Sequence, residues 1–365
     1  MSPLPSLSPW SLLLLPPLLY TSHKILSKKT NKDRTKTIPL DRERVVVLGS
    51  SSGIGRVIAK KYAKRGAYVC VVGRRDNKVS EVVEECKDVS PVSQEALDTK
   101  ILGFVGDMTD ASAMIRLRNV LLNEWQGLDT LIVAAGISAV RPLLDIACRN
   151  PPSRSRSQSL FISRSKTVQS TLSENTDITQ TDTEGIARVV STASAALQSN
   201  YFGPLIAAVT FIPFLSQTSA LPSVHLLSSL AAVVPAPTRS LYGSTKGASL
   251  LLYQSLSIEH PNIDWSYVLP STVQGNFRAG AVDMLHEDDP KSERATFDPS
   301  SRNIATGEIS GLSPEKVAEI SIHAIDTRNT RPVFVPPLMR FAHWLYWIFP
   351  RFIEGRARRK YGFTV

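Results

Sequence analysis

A tyrosine and a lysine four positions apart are the clearest chemical signal in the sequence. Tyr242 and Lys246 lie in the segment Leu-Tyr-Gly-Ser-Thr-Lys, and on an α-helix this spacing places both side chains on one face, one turn apart. An ammonium group beside a phenol favours the phenolate, so it lowers the pKa of a tyrosine, which is about 10 when unperturbed. Such a phenol can exchange a proton with a substrate oxygen near neutral pH. Because ordinary surface helices contain the same spacing, the pair alone does not establish a catalytic site.

A glycine-rich segment near residue 50 provides independent support for a ligand site. Residues 49–55 have the sequence Gly-Ser-Ser-Ser-Gly-Ile-Gly, after an apolar run over 45–48 and before a helical pattern over 56–65. The apolar run is typical of a buried parallel strand. Glycines let the backbone turn tightly and approach a pyrophosphate, which the positive end of the following helix stabilises. A simple strand-to-helix connection is the alternative, but the context favours a dinucleotide site.

The end of the next strand bears on the choice of dinucleotide. A second apolar strand pattern over 68–72 is followed by Gly73, Arg74 and Arg75. At this point of a dinucleotide-binding fold an acid accepts a hydrogen bond from the ribose 2′-hydroxyl, whereas arginine suits a 2′-phosphate. Arg74, with Arg75 beside it, therefore favours NADP(H) over NAD(H). Two alternatives stay open, namely Asp76 in the acidic role after a small shift, and a solvated charged turn.

The order of the elements predicts an α/β fold with a doubly wound parallel sheet, the Rossmann fold. Further strand patterns occur at 101–105, 128–133, 224–227, 265–269 and 332–335, with helical patterns between them. We assign residues 41–338 to one catalytic domain. Over 149–185 Ser and Thr are abundant and no periodic apolar face exists, which predicts a disordered insertion. The polar stretch 275–311 is a candidate loop that covers the substrate.

The charge and the cysteines point away from nucleic acids, metals and disulfides. The net charge is +10, and much of the excess lies in 24–44, 154–166 and 351–360. No nucleic-acid motif accompanies these clusters, and basic residues beside apolar segments favour a membrane surface. The three cysteines, Cys70, Cys86 and Cys148, show no metal-ligand spacing. Their odd number fits a reducing compartment better than a disulfide framework.

The amino-terminal segment has features of a membrane anchor. Residues 1–40 combine an apolar stretch, which Pro16 and Pro17 interrupt, with a basic linker. This pattern predicts an anchor that spans the bilayer or lies in its interface. The positive residues after it place the catalytic domain in the cytosol, with the endoplasmic reticulum as one candidate membrane. A cleaved signal peptide and a disordered apolar tail are the alternatives.

The carboxyl-terminal tail combines aromatic and basic residues. Over 339–365 a group of Phe and Trp residues precedes an Arg-rich cluster, which is typical of an interfacial membrane segment. The tail could instead pack over the substrate pocket or against a second subunit, which leaves a homodimer open.

Together these motifs resemble the short-chain dehydrogenase/reductase family in its NADP-preferring form. The similarity covers roughly 44–335 apart from the Ser/Thr-rich insertion, and it includes the Gly-x-x-x-Gly-x-Gly turn at 49–55. The resemblance implies a catalytic tetrad whose members occur here in the family's order: Asn200, Ser229, Tyr242 and Lys246. Ser229 precedes Tyr242 by 13 positions, as in the family, and the adjacent Ser228 is the alternative.

The resemblance also implies a set of cofactor contacts, in which Asp107 is the acid that contacts adenine. The full set is Gly49, Ser51, Ser52, Gly53, Ile54, Gly55, Arg74, Arg75, Asp107, Met108, Ala135, Gly136, Tyr242, Lys246, Pro270, Thr272 and Val273. The chain departs from the family at two places. Both asparagines of the family's Asn-Asn-Ala-Gly motif are missing at Ala134-Ala135-Gly136, and Ser271 replaces the glycine after Pro270.

The reaction that the resemblance implies is hydride transfer between NADP(H) and a ketone or secondary alcohol. Tyr242 would give the proton and Ser229 would hydrogen-bond the same oxygen. Lys246 would lower the pKa of Tyr242 and bind the nicotinamide ribose, and Asn200 would hold a water that relays protons. The membrane features favour a lipophilic substrate such as a keto-lipid or steroid. The alternative is a catalytically silent NADP-binding sensor or scaffold, which a complete tetrad disfavours.

Overall fold

Seven parallel strands form one sheet at the centre of the protein. The computed structural model describes residues 33–147, 182–284 and 311–363. Within these ranges the strands are β1 (Arg44–Leu48), β2 (Tyr68–Gly73), β3 (Ile101–Val105), β4 (Thr130–Val133), β5 (Ser223–Leu227), β6 (Asp264–Pro270) and β7 (Val333–Val335). They lie in the order β3-β2-β1-β4-β5-β6-β7. The central strands are continuous apolar runs because helices cover both of their faces. The predicted doubly wound sheet is confirmed.

The described helices pack on both sides of this sheet. They are α1 (Gly53–Lys64), α2 (Asp76–Val89), α3 (Gln94–Lys100), α4 (Ala111–Trp125), α5 (Leu143–Ala147), α6 (Thr183–Leu197), α7 (Gly203–Thr218), α8 (Ser240–Glu259), α9 (Pro314–Asp326), α10 (Met339–Ile348) and α11 (Pro350–Tyr361). On one face Ile58 of α1 and Ile322 of α9 belong to the same buried cluster as Val47 of β1. On the other face Phe211 of α7 and Leu250 of α8 belong to a second core cluster, which contains the strand side chains that point to that face.

The strand order reverses at β1, and this reversal creates the crevice in which a ligand can bind. β1 pairs with β2 on one side and with β4 on the other, so that Val47 lies between Val71 and Ile132. The chain therefore leaves β1 and β4 in opposite directions at their carboxyl ends. In open α/β sheets ligands bind at this point. The glycine-rich turn directly follows β1 and so borders the crevice.

One long helix crosses the face of the sheet beside this crevice. α6 and α7 are joined by a single π-helical turn, Gln198–Phe202. Together they form the one described helix, Thr183–Thr218, that is long and apolar enough to cross a membrane. Its residues Phe211 and Leu215 are fully buried in the core, so we interpret it as a core helix. α6 begins within the stretch predicted as disordered, because the Asp182 carboxylate caps it by accepting from the Gly185 N–H at 2.6 Å.

The residues just before β1 belong to the folded domain. Arg34, which the sequence places in the basic linker, is buried under the amino ends of the strands. Its guanidinium hydrogen-bonds the buried Glu43 and donates to the Asp129 carbonyl at 3.0 Å. Thr130 donates to the same Glu43 carboxylate at 2.6 Å. The folded part of the chain therefore includes Arg34, before the expected boundary at residue 41.

The first of the two carboxyl-terminal helices, α10, packs next to β7 and the loop after β5. His343 of α10 stacks on Phe334 at a centroid distance of 5.6 Å, and its Nδ1–H donates to the Val233 carbonyl at 3.2 Å. Three features predicted from sequence lie wholly or partly outside the described residues. They are the apolar anchor before residue 33, positions 149–181 of the Ser/Thr-rich insertion 149–185, and positions 285–310 of the candidate substrate-covering loop 275–311.

Candidate active site

The glycine-rich turn after β1 is closed so tightly that side chains are excluded from it. Gly49 has φ +87°, and a Cβ there would lie 2.5 Å from the Ala135 Cα. A Cβ on Gly55 would lie 2.3 Å from the Gly49 carbonyl oxygen. Both positions therefore require glycine, and the turn is held against the segment that follows β4.

The serines of this turn have different surroundings. Ser50 is buried, where its hydroxyl donates to the Val47 carbonyl at 2.8 Å and accepts from the Val72 N–H at 2.8 Å. Ser52 is exposed at the start of α1 and makes no capping hydrogen bond. The first N–H groups of α1, from Gly53 to Gly55, have no acceptor within the helix. These N–H groups border the crevice, where they can donate hydrogen bonds to an anion such as a pyrophosphate.

The ends of β2 and β3 place charged residues at the outer part of the crevice. Arg74 is 67% exposed, and its Nη1 lies 3.6 Å from Oδ2 of Asp107. The other Asp107 oxygen, Oδ1, accepts from the N–H and the hydroxyl of Thr109, both at 2.9 Å. Arg75 is exposed at the residue before α2. The geometry leaves both arginines accessible to an anionic group.

Three small or apolar residues shape the crevice between Asp107 and the tetrad. Met108 is buried against Gly203, where a Cβ would lie 2.6 Å from the methionine Cε. Ala135 contacts the Gly49 backbone, as described above. A Cβ on Gly136 would lie 3.0 Å from both the Asn200 Oδ1 and the Lys246 Nζ. Gly136 thus lets two members of the predicted tetrad approach the main chain.

Asn200 lies in the π-helical turn and is completely buried. Its Oδ1 accepts from the Ile137 N–H at 2.8 Å, and its Nδ2 donates to the Ile137 carbonyl at 2.9 Å. The second Nδ2 hydrogen is donated to the Thr245 hydroxyl at 3.0 Å. Because both donor hydrogens are used, the side chain has none left for the relay water expected from sequence. Its observed hydrogen bonds hold the segment after β4 against the π-helical turn.

The Ser229 hydroxyl lies close enough to that of Tyr242 to lower the pKa of the phenol. Ser229 follows β5, and its Oγ accepts from the Ala231 N–H at 3.2 Å. Tyr242 lies in the first turn of α8, half-buried, with its ring 5.9 Å from that of Phe277. Ser228, the alternative serine, is buried, and its hydroxyl has no partner among the described residues. The geometry therefore favours Ser229 over Ser228.

Lys246 is buried one turn beyond Tyr242, where its Nζ donates to the Leu227 carbonyl at 3.2 Å. Burial lowers the pKa of Lys246 to about 8. The pKa of Tyr242 is raised, because burial outweighs the hydrogen bond from Ser229 and the positive charges of Arg239 and Arg278. This differs from the expectation that Lys246 lowers the pKa of Tyr242. In this structure the cations that act on the phenol are the two arginines.

Comparisons with known proteins agree with this geometry. The family model described as short chain dehydrogenase matches residues 43–150. The 11-beta-hydroxysteroid dehydrogenase-like 4A of Arabidopsis thaliana is 26% identical over 318 residues, which cover 86% of this chain and 83% of that protein. The dehydrogenase/reductase SDR family member 7B of Xenopus tropicalis is 23% identical over 322 residues, covering 87% and 86%.

Solved structures show the same fold. A short chain dehydrogenase/reductase from Burkholderia phymatum, in complex with NAD, has a TM-score of 0.62 and 16% identity, covering 86% of this chain and 95% of that one. An alcohol dehydrogenase from the archaeon Thermococcus sibiricus, complexed with 5-hydroxy-NADP, has a TM-score of 0.53 and 15% identity, covering 80% and 95%. The chain is similar to short-chain dehydrogenases/reductases in sequence and in fold, and these matches support its membership of that family. It is an oxidoreductase that uses a nicotinamide cofactor and acts on CH–OH or C=O groups of a small molecule.

The last predicted cofactor contacts of this dehydrogenase/reductase lie at the end of β6. Pro270 is the final, buried residue of β6, and Thr272 and Val273 follow it. Val273 forms a parallel bridge with Leu312, and the Thr272 carbonyl accepts from the Leu312 N–H at 2.9 Å. The Thr272 hydroxyl accepts from Arg278 Nη2 at 3.2 Å. This segment therefore connects the cofactor side of the crevice with the turn that carries Arg278.

Sequence patterns alone missed four residues around the tetrad. Thr245 fixes Asn200, Phe277 contacts the Tyr242 ring, and Arg239 and Arg278 influence the tyrosine hydroxyl. The role of Thr245 could not be found from the sequence, because its partner Asn200 lies 45 positions away. The other three act through contacts between separate loops, for which the sequence has no local signal.

Proposed function

We propose that the protein is an NADP(H)-dependent carbonyl reductase, or alcohol dehydrogenase in the reverse direction, for a lipophilic ketone or secondary alcohol. The observation that carries the proposal is the proximity of the Ser229 and Tyr242 hydroxyl groups beside the crevice at the carboxyl ends of β1 and β4. A single substrate oxygen can contact both hydroxyl groups there. This arrangement suits a carbonyl oxygen that gains negative charge and then a proton.

Each residue of the tetrad has a separate function in this proposal. The bound cofactor supplies or accepts the hydride. Tyr242 donates its proton to the substrate oxygen in reduction and recovers one in oxidation, while Ser229 donates a hydrogen bond to the same oxygen. Lys246 is the group that binds the nicotinamide ribose. Asn200 is a positioning residue, since its amide holds Ile137 and thereby the wall of the site.

The preference for NADP(H) rests on the charges beside the adenosine end of the crevice. Arg74 and Arg75 follow β2 and are exposed, and a guanidinium binds a 2′-phosphate through charge-assisted hydrogen bonds. The acid expected for NAD(H) is missing at this strand end, and Asp76 instead lies in the first turn of α2. A carboxylate in that place interacts favourably with the helix dipole.

The lipophilic substrate and the membrane surface are inferred from α10 and α11. Phe341, Trp344 and Trp347 of α10 are 67%, 62% and 74% exposed. Arg358, Arg359 and Lys360 follow in the last turns of α11. Exposed aromatic residues beside basic residues suit the interface of an anionic bilayer. The names of the relatives, which include a hydroxysteroid dehydrogenase-like protein, point in the same direction.

The proposal is tested by following NADPH absorbance with the full-length protein in membranes. The substrates are steroid ketones, long-chain aliphatic ketones and short water-soluble ketones, each offered with NADPH and with NADH. We expect kcat/KM to rise with the apolar size of the ketone and to be higher with NADPH. If the protein binds NADPH but reduces no ketone, and also oxidises no alcohol with NADP+, the result would support the sensor or scaffold instead.

A further inference from the structure

Ser229 belongs to a tight turn that directly follows β5. Residues Leu230–Ala232 form one turn of 3-10 helix, and Ser229 caps it. The Ser229 Oγ accepts from the Ala231 N–H at 3.2 Å, and the Ser229 carbonyl accepts from the Ala232 N–H at 3.0 Å. The hydroxyl of Ser229 therefore moves together with residues 229–233, the serine turn.

The chain that enters the serine turn is fixed by the sheet and by α8. Leu227 is the last residue of β5, and its carbonyl accepts from the Lys246 Nζ at 3.2 Å. The next residue, Ser228, donates its N–H to the Val268 carbonyl of β6 at 2.9 Å. Both bonds hold the amino-terminal side of Ser229.

The middle of the serine turn approaches α8 at two glycines, and each of them directly follows a residue of the tetrad. Gly243 follows Tyr242, and a Cβ there would lie 2.8 Å from the Ala231 carbonyl oxygen. Gly247 follows Lys246, and a Cβ there would lie 3.2 Å from the Ala232 carbonyl oxygen. These contacts stop the turn from moving closer to α8, but they include no bond that stops it from moving away.

The carboxyl-terminal end of the serine turn is held by α10. The His343 Nδ1–H donates to the Val233 carbonyl at 3.2 Å. The imidazole also stacks on Phe334 of β7, with an interplanar angle of 26°, and Phe334 is buried in the core. The stack fixes the plane of the imidazole and thus the direction of its N–H.

This hydrogen bond is the external restraint on the far side of Ser229. Leu230 and Val233 are only partly buried where they pack on the core. Among the described residues, no other side chain from outside the serine turn hydrogen-bonds its backbone. Without His343 the turn is therefore tied to the domain mainly through the end of β5.

We propose that His343 is a positioning residue for the reaction, because its hold on Val233 keeps the Ser229 hydroxyl in reach of the substrate oxygen at Tyr242. The inference rests on the proposed function, since it takes Ser229 as the residue that stabilises this oxygen. It gives α10 a function in turnover in addition to the proposed membrane contact. Displacement of a catalytic group by about 1 Å reduces rates by up to about 100-fold.

The first test separates the hydrogen bond of His343 from its stack. His343→Phe keeps a ring on Phe334 and removes the N–H. With the full-length protein in membranes, saturating NADPH and the best ketone, kcat should fall about threefold to tenfold. The Kd for NADPH should stay within about twofold of wild type, because no group assigned to the cofactor has changed. An unchanged kcat would overturn the inference.

Two further variants complete this comparison. His343→Asn loses the ring but places an amide N–H near the position of Nδ1, so it should recover most of the kcat that His343→Phe loses. His323→Phe makes the same exchange at an exposed position of α9 and should keep the wild-type kcat. Equal losses in the Phe and Asn variants of His343 would assign the effect to packing and reject the hydrogen bond.

A double-mutant cycle tests whether His343 acts through Ser229. Removal of one oxyanion donor costs about 10²–10³ in kcat, so Ser229→Ala retains a rate that product analysis over hours can follow. In this background His343→Phe should change kcat by less than about twofold, since the hydroxyl that it positions is gone. The same fold loss in both backgrounds would overturn the inference.

Hydrogen exchange separates this inference from the proposed function, because it requires no turnover. The N–H groups of Ala231, Ala232 and Val233 are bonded within the serine turn. In His343→Phe they should exchange at least about threefold faster, while peptides from β1 and α9 exchange as in wild type. If no ketone is reduced, faster exchange confined to the turn still supports His343 as its anchor. If ketones are reduced and both exchange and kcat are unchanged, the reductase stands and the function of His343 is rejected.

Discussion

Asn200 binds the main chain of Ile137 in both directions, through its Oδ1 at 2.8 Å and its Nδ2 at 2.9 Å. The side-chain amide thus makes the two hydrogen bonds that the backbone of a neighbouring strand would make with Ile137. It fixes the segment after β4 against the π-helical turn. Gly136, immediately before Ile137, then contacts both Asn200 and Lys246. Asn200 therefore links the wall of the crevice to Lys246.

Removal of this link should affect stability and turnover together. Asn200→Ala leaves the part-buried N–H and C=O of Ile137 without the Asn200 amide, which costs about 2–4 kcal/mol in the free energy of unfolding. We expect kcat to fall because the Gly136 segment loses its position beside Lys246. Urea denaturation and steady-state kinetics measure the two effects. Thr245→Val, which removes only one acceptor of Asn200, should show a smaller loss in both, and an Asn200→Ala protein of wild-type stability would contradict this account.

The charges after β2 predict a change of cofactor preference. Arg74→Glu replaces a group that attracts the 2′-phosphate with one that repels it, so the KM for NADPH should rise by about tenfold to a hundredfold. The KM for NADH should change much less. Asp76→Asn is the control for the alternative in which Asp76 binds the ribose, and it should leave both values nearly unchanged. Equal effects of Arg74→Glu on the two cofactors would reject the assignment.

The buried lysine predicts a cost in stability that depends on pH. The pKa of Lys246 is lowered from 10.5 to about 8 in the folded protein. Below pH 8 the lysine is charged in both the folded and the unfolded protein, and its burial then lowers the free energy of unfolding. This penalty disappears as the pH rises from 8 to 10.5. At pH 7 the free energy of unfolding of Lys246→Met should therefore exceed that of wild type by about 1–3 kcal/mol, although the variant loses the bond to Leu227. Urea denaturation measures this difference.

The same comparison at pH 9.5 should show a smaller advantage of the methionine variant. Lys64→Met, at an exposed position near the end of α1, is the control and should show no such trend between the two pH values. The Lys246→Met protein should also be inactive, because it lacks the group assigned to the nicotinamide ribose. A methionine variant that is less stable than wild type at pH 7 would argue against the burial penalty.

The exposed aromatic face of α10 predicts binding to anionic vesicles. Trp347→Ser, combined with Trp344→Ser, removes two side chains that are 74% and 62% exposed. Since each deeply inserted aromatic side chain contributes through its buried apolar area, the double variant should bind vesicles of mixed anionic and neutral lipid at least about tenfold more weakly. Flotation measures the bound fraction. Ile258→Ser, at an 81% exposed position on α8, should bind like wild type.

The features that were predictable from sequence are those that depend on neighbouring residues. The run 45–48 and the glycines at 49–55 have local patterns, and the structure has a strand and a closed turn there. The sequence places the buried Arg34 in a basic linker, because its contacts with Glu43 and Asp129 form only in the folded protein. A basic residue in a basic stretch has no sequence feature that predicts burial.

The electrostatic environment of Tyr242 could not be predicted for the same reason. The spacing of Tyr242 and Lys246 suggested that the lysine lowers the tyrosine pKa. In the structure Lys246 donates to Leu227, and the opposing effects come from burial and from Arg239 and Arg278. Arg278 lies 36 positions from Tyr242, on a turn whose place depends on Phe277 and on its bonds to other loops. Only the tertiary structure joins these groups.

The proton-donating function of Tyr242 is tested most directly by Tyr242→Phe, assayed against the best ketone of the panel. The substitution keeps the ring that packs on Phe277 and removes only the hydroxyl, so NADPH should bind within about twofold of wild type. Loss of a general acid reduces rates by about 10²–10⁴-fold, and we predict a loss of kcat in that range. Tyr68→Phe, at the start of β2 and remote from the crevice, should retain wild-type turnover. Undiminished kcat in Tyr242→Phe would contradict the mechanism.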